Sequence, residues 1–118
     1  MSAEIFIKDR FVKISWGTFD SLYYNFLETC EKNEIFLNYP SIEKLVTFMG
    51  LINANPCNGC FDVSDYLTSS KDVHVLLNIL EDTINKLKKE CPDFTINALW
   101  NVYKELMAYG DELKAQGK

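Results

Sequence analysis

The strongest constraint on this chain is an apolar stripe in "KDVHVLLNILEDTINKLKKE". Val73, Leu76, Leu77, Leu80, Ile84 and Leu87 recur three and four residues apart, a pattern that an amphipathic α-helix gathers onto one face. Ser70 is placed to cap this helix, Asp72 falls in its first turn, and Lys86, Lys88 and Lys89 fall in its last, as the helix dipole prefers. Pro92 follows its end. A helix with one apolar face needs partners, and the same period recurs elsewhere. Phe19, Leu22, Tyr23, Phe26, Leu27 and Cys30 form a stripe opened by Thr18 and stopped at Asn33. Ile42, Leu45, Val46, Met49 and either Ile52 or Asn53 form another behind Ser41. There Phe48 and Leu51 widen the apolar arc, which predicts a central helix. Ile96, Leu99, Trp100, Tyr103, Leu106, Met107 and Gly110 form the last, capped by Thr95, with a frayed tail expected after Gly110.

The first residues follow a different period. In "EIFIKDRFVKISW", Ile5 and Ile7 alternate with Glu4, Phe6 and Lys8, while Val12, Ile14 and Trp16 alternate with Lys13 and Ser15. This predicts two strands around Asp9-Arg10. Asp-Arg is not a primed-turn pair, which points to a loop longer than two residues. A lone hairpin is marginal in water, so it must pack on the helices. "EIFLNYP" reads as a connection stopped by Pro40, residues 53–63 as a loop, and "VSDYLTSS" as one short helical turn. The expectation is a single domain over 1–118, mainly α within the α+β class: an N-terminal β-hairpin packed on a bundle of about four main helices.

Composition limits the function. A hydrophobic fraction of 47% with 25% charged residues is that of a globular domain. No apolar run is long enough to span a bilayer, and the first residues lack the basic and apolar regions of a signal peptide. The expected location is cytoplasmic, with Cys30, Cys57, Cys60 and Cys91 as reduced thiols. The net charge of −5 is unevenly spread. Residues 14–85 carry ten acids against Lys32, Lys44 and Lys71, a balance of −7. Such a chain should avoid nucleic acid and membranes, and should attract a basic protein.

The most chemical-looking stretch is "NANPCNGCFDV". Cys57 and Cys60 could supply half of a tetrahedral zinc site, but Cys30, His74 and Cys91 are isolated from one another in sequence. A redox pair would open a helix after a strand; this one follows a helix, with Asp62 and Asp65 close by to raise a thiol pKa. The reading favoured here is a turn at Asn58-Gly59. His74, the only histidine, stands off the Leu76/Leu77/Leu80 stripe without an orienting partner in sequence, and no phosphate loop or HExxH motif is present. The residues therefore speak against an enzyme, and no cofactor or metal is expected. The better candidates are acids around tyrosine: Asp62, Asp65, Tyr66 and Asp72 in "FDVSDYLTSSKD", extended by Glu81 and Asp82. Glu28, Glu31 and Glu34 make a second acidic group.

In size, acidity, lack of a catalytic motif and the acidic aromatic segment "CFDVSDYLTSSKD", the chain resembles the small immunity proteins of bacterial contact-dependent growth inhibition and related polymorphic toxin systems. The resemblance implies a cognate toxin domain, often a nuclease, neutralised by tight one-to-one binding over its active site. It carries over no individual residue. Asp62, Asp65, Tyr66, Asp72, Glu81 and Asp82 are the expected partner-binding residues. The alternatives are a non-catalytic helical adaptor and a zinc or thiol-redox domain using Cys57 and Cys60.

Overall fold

The computed structural model describes the backbone of residues 2–55 and 60–118. The hairpin is present as β1 (Ser2–Ile7) and β2 (Arg10–Ser15), antiparallel, with Ile7 opposite Arg10. Its loop is therefore Lys8-Asp9, one residue earlier than the sequence suggested and no longer than two. The turn is made by Lys8 at φ 64, a left-handed conformation unusual for a side chain of this size. Its amide donates to Asp62 Oδ1 at 3.1 Å.

Among the described residues, five helices follow the hairpin's end. α1 is Trp16–Lys32, α2 the single turn Ile35–Asn38, α3 Pro40–Ala54, and α4 Ser70–Leu87. Between α3 and α4 lies β3 (Cys60–Asp62), which runs parallel to β1 and makes a three-stranded sheet in the order β2-β1-β3. That strand falls in the stretch read as loop. At three residues it is too short for a period-2 signal to be distinguishable. A 3₁₀ turn, Val63–Asp65, follows it, in the segment expected to hold one helical turn. The last helix, α5, is Asp93–Ala115.

The sequence misplaced the caps by a few residues, for identifiable reasons. α1 is capped by Ser15, whose Oγ accepts from the Thr18 amide at 3.2 Å, while Thr18 is itself buried. Trp16 thus begins the helix instead of ending a strand. α4 is capped by Ser69 rather than its neighbour Ser70. α3 starts at Pro40 and α5 at Asp93, neither with a side-chain cap; in α3 the fixed φ of proline supplies the start instead of Ser41.

The tail of α5 is ordered, against expectation. Leu113 is buried. Gly117 at φ 77 closes a Schellman motif, with the Lys118 amide bonded to the Leu113 carbonyl at 2.8 Å and the Gly117 amide to Lys114 at 3.1 Å. The Lys118 carbonyl then accepts from the Ser70 amide at 3.0 Å, tying the tail to the start of α4. Arg10 reaches Glu112 at 2.6 Å and Glu105 at 3.2 Å, which fastens the hairpin to the same helix. Glu112 holds the guanidinium pKa above its usual value.

Side chains from every layer meet in one core. Ala3, Ile5, Ile7 and Ile14 face Phe19, Leu22 and Phe26 of α1, Leu45 and Met49 of α3, Leu76 and Leu80 of α4, and Leu99 and Leu106 of α5. α5 is rotated from the expected stripe. Its buried residues are Thr95, Ile96, Leu99, Val102, Leu106, Tyr109 and Leu113, while Met107 is exposed and Trp100 and Tyr103 are half-buried. The rotation lets the Tyr109 hydroxyl donate to the Leu67 carbonyl at 2.7 Å inside the protein. α3 also differs from expectation. Leu51 is 62% exposed and Phe48 half-buried, so the wide apolar arc is an outward face rather than a second core face.

Two glycines mark close approaches with different tolerances. A methyl at Gly110 would lie 2.8 Å from the branched Val73 side chain between α4 and α5. A methyl at Gly50 would meet the far end of Tyr23 at 2.7 Å, a ring that can swing aside. Gly110→Ala should therefore cost roughly 1 kcal/mol or more despite alanine's better helix propensity, whereas Gly50→Ala should be near neutral or stabilising. Urea denaturation of the two variants checks the contrast.

Candidate partner-binding surface

The six expected contact residues do not form one patch. Asp62 ends β3 with its carboxylate turned inward on local structure. Oδ1 accepts from the Ser64 amide at 2.9 Å, the Ser64 hydroxyl at 2.5 Å and the Lys8 amide at 3.1 Å. It caps the 3₁₀ turn and pins that turn to the hairpin. Asp65 is exposed at the end of the turn. Asp72 is half-buried in the first turn of α4, where its amide is the one capped by Ser69.

Glu81 and Asp82 lie farther along α4, both exposed. Nine residues separate Asp72 from Glu81, which is about 13 Å along the axis and half a turn around it. Asp82 is partly offset by Lys86 at 3.4 Å, one helical turn on. The α4 acids are thus spread over the helix rather than gathered beside Tyr66. Glu28, Glu31 and Glu34 are exposed near the end of α1.

Tyr66 is the residue with a distinct setting. Its ring lies 5.7 Å from Phe48, tilted by 33°. Burial, then the neighbouring Asp65, raises its hydroxyl pKa, so the phenol stays protonated at neutral pH. The buried hydroxyl of Tyr109 is likewise raised, mainly by burial, and has the Leu67 carbonyl as its acceptor. Tyr66 and α3 line a shallow groove of about 260 Å³ whose walls are Glu43, Lys44, Thr47, Phe48, Leu51 and Tyr66. The α3 half of this groove was not singled out from sequence. The available signal was the pair Phe48 and Leu51, two large apolar residues outside the core stripe.

The other expectations separate cleanly. Cys57 and the Asn58-Gly59 turn lie outside the described residues, as does the side chain of Cys60. Cys30 is buried, and desolvation, aided by Glu31, pushes its thiol up to about 11, which keeps it protonated and a poor nucleophile. Among the described residues no group of three or more His, Cys, Asp or Glu side chains could hold a metal ion. His74 is exposed beside a groove between α4 and α5, near Tyr103 and Met107. No helix among the described residues is long and apolar enough to cross a membrane. No family model matches the chain, and searches of curated proteins and of solved structures give no significant match.

Proposed function

We propose that this chain is a cytoplasmic, non-catalytic inhibitor of the immunity type, which binds a basic toxin domain, a nuclease in the leading version, and blocks its active site. The observation that carries this reading is the state of the carboxylates. Among the described residues, the ion pairs engage Glu105, Glu112 and Asp82. Asp65, Asp72 and Glu81 have no basic partner among the described residues. Carboxylates without internal counterions give a surface potential that steers a basic protein toward the chain and rejects acidic ones. Acids facing a nuclease would occupy the place of substrate phosphates. A helical adaptor that binds a basic protein other than a toxin would use the same surface.

The two readings separate in a growth assay. The protein encoded immediately upstream of this chain is expressed with and without it. Growth arrest rescued by the chain, together with a one-to-one complex that weakens as salt rises, is the expected result. Neutralising Asp65, Asp72, Glu81 and Asp82 together should weaken that complex at least tenfold. Asp62 is left out because its carboxylate holds the fold. Absence of both arrest and complex would turn the assignment toward the adaptor.

A further inference from the structure

The groove between α3 and the 3₁₀ turn has the makings of a docking site for a particular side chain. Its floor is the tilted pair Phe48 and Tyr66, extended by Leu51, the most exposed large apolar residue on α3. A large apolar side chain left in solvent beside two half-buried rings is what the centre of a binding surface presents before its partner arrives. Glu43 lines the groove, and Asp65 directly precedes Tyr66 and is close enough to raise its hydroxyl pKa; both acids are exposed. Lys44 is the single cation of the lining, which leaves these carboxylates in excess by one charge. Nothing else among the described residues supplies a base to Glu43 or Asp65.

We infer that this groove receives an arginine-bearing segment of a basic partner protein, with the guanidinium laid on the Tyr66 and Phe48 rings and paired with Asp65 or Glu43. Charge complementarity selects a cation, and the rings select arginine over lysine. A planar, weakly hydrated guanidinium stacks on an aromatic face and bonds a carboxylate through two parallel N–H groups, whereas an ammonium does neither as well. The arginine stem and an adjacent aliphatic side chain cover Leu51. Asp62 acts here as a positioning residue, since it fixes the turn that carries Asp65 and Tyr66. This inference rests on the proposed reading of a basic protein partner, and it moves the centre of contact from α4 to α3.

The test is titration of the isotope-labelled chain with the peptide Ac-RLRLR-NH2 and its lysine counterpart, followed by amide chemical shifts. The expected result is shifts concentrated at residues 43–51 and 63–67, with the arginine peptide binding at least twofold tighter. Leu51→Ser with Asp65→Asn should weaken binding at least fivefold. Both positions are exposed, so the melting temperature should not change. Glu28→Gln with Glu31→Gln, two exposed acids on α1, should leave binding as it was. Shifts centred on α4, indifference to the first pair of substitutions, no binding, or concentration-dependent self-association through this face would each overturn the groove. Peptide binding elsewhere on the acidic surface would remove the groove but keep a basic partner. Groove binding without rescue in the growth assay would keep the groove and remove the inhibitor reading.

Discussion

Leu80→Ala should lower the stability of the fold by about 3–5 kcal/mol, toward the upper part of the range for a buried leucine. Leu80 is 1% exposed and sits where α4 meets α1, α5 and the sheet. It also lines a small apolar void of about 20 Å³, shared with Ile5, Leu22, Met49 and Val102. A truncated side chain normally lets its neighbours relax part of the way inward. Here part of the lining already faces empty space, so the new cavity merges with the old and the lost contacts are not regained. For a domain with a total stability of about 5–15 kcal/mol, the loss is a large share. A fall in melting temperature of roughly 10–25 °C is expected. Val102→Ile adds a methyl at the same void and should be neutral or mildly stabilising, about 0.8 kcal/mol at most. Equal destabilisation by both substitutions would mean the core is packed differently there.

That core was the most legible part of the chain. The stripe in α4 and the alternation in β1 are long enough, and pure enough in period, to define which side is buried before any partner is known. Legibility fails where two local solutions have nearly the same energy. Ser69 and Ser70 are equally good caps by chemistry, and only the direction of the chain entering α4 selects the first. In α5, apolar residues lie on two overlapping stripes. Tertiary contact chooses the one through Val102, Tyr109 and Leu113, because Tyr109 then reaches the Leu67 carbonyl. The parallel pairing of β3 with β1 depends on residues far apart in sequence and leaves no local trace.

The surface was legible in composition but not in arrangement. Acid excess is a property of the whole chain and can be counted. Which acids are available cannot, since availability depends on partners brought by folding. Asp62 and Asp65 look alike in "FDVSDY", three residues apart. In the fold the first is committed to three internal hydrogen bonds and the second is exposed. Phe48 and Leu51 show the converse. Their hydrophobicity suggested interior, yet α3 has only one face against the core, so the surplus apolar residues emerge beside Tyr66.

Asp62 supplies the sharpest test of that distinction. Asp62→Ala should cost about 2 kcal/mol, because it removes the acceptor for the part-buried Ser64 amide and hydroxyl and for the Lys8 amide. The Lys8 amide is exposed and can turn to water, so it contributes little to the loss. Asp62→Asn removes the charge but keeps an oxygen in the capping position, and should cost less than about 1 kcal/mol. A residue that contacts the partner directly through its charge predicts a different order. In that case Asn and Ala would weaken binding alike, with little change in melting temperature for either. A positioning residue predicts near wild-type affinity for Asn. For Ala it predicts a joint loss of stability and affinity, because the released turn carries Asp65 and Tyr66 away from Phe48. Urea denaturation and peptide titration of the two variants, taken together, decide between these orders, and the hydrogen bonds of Asp62 favour the second.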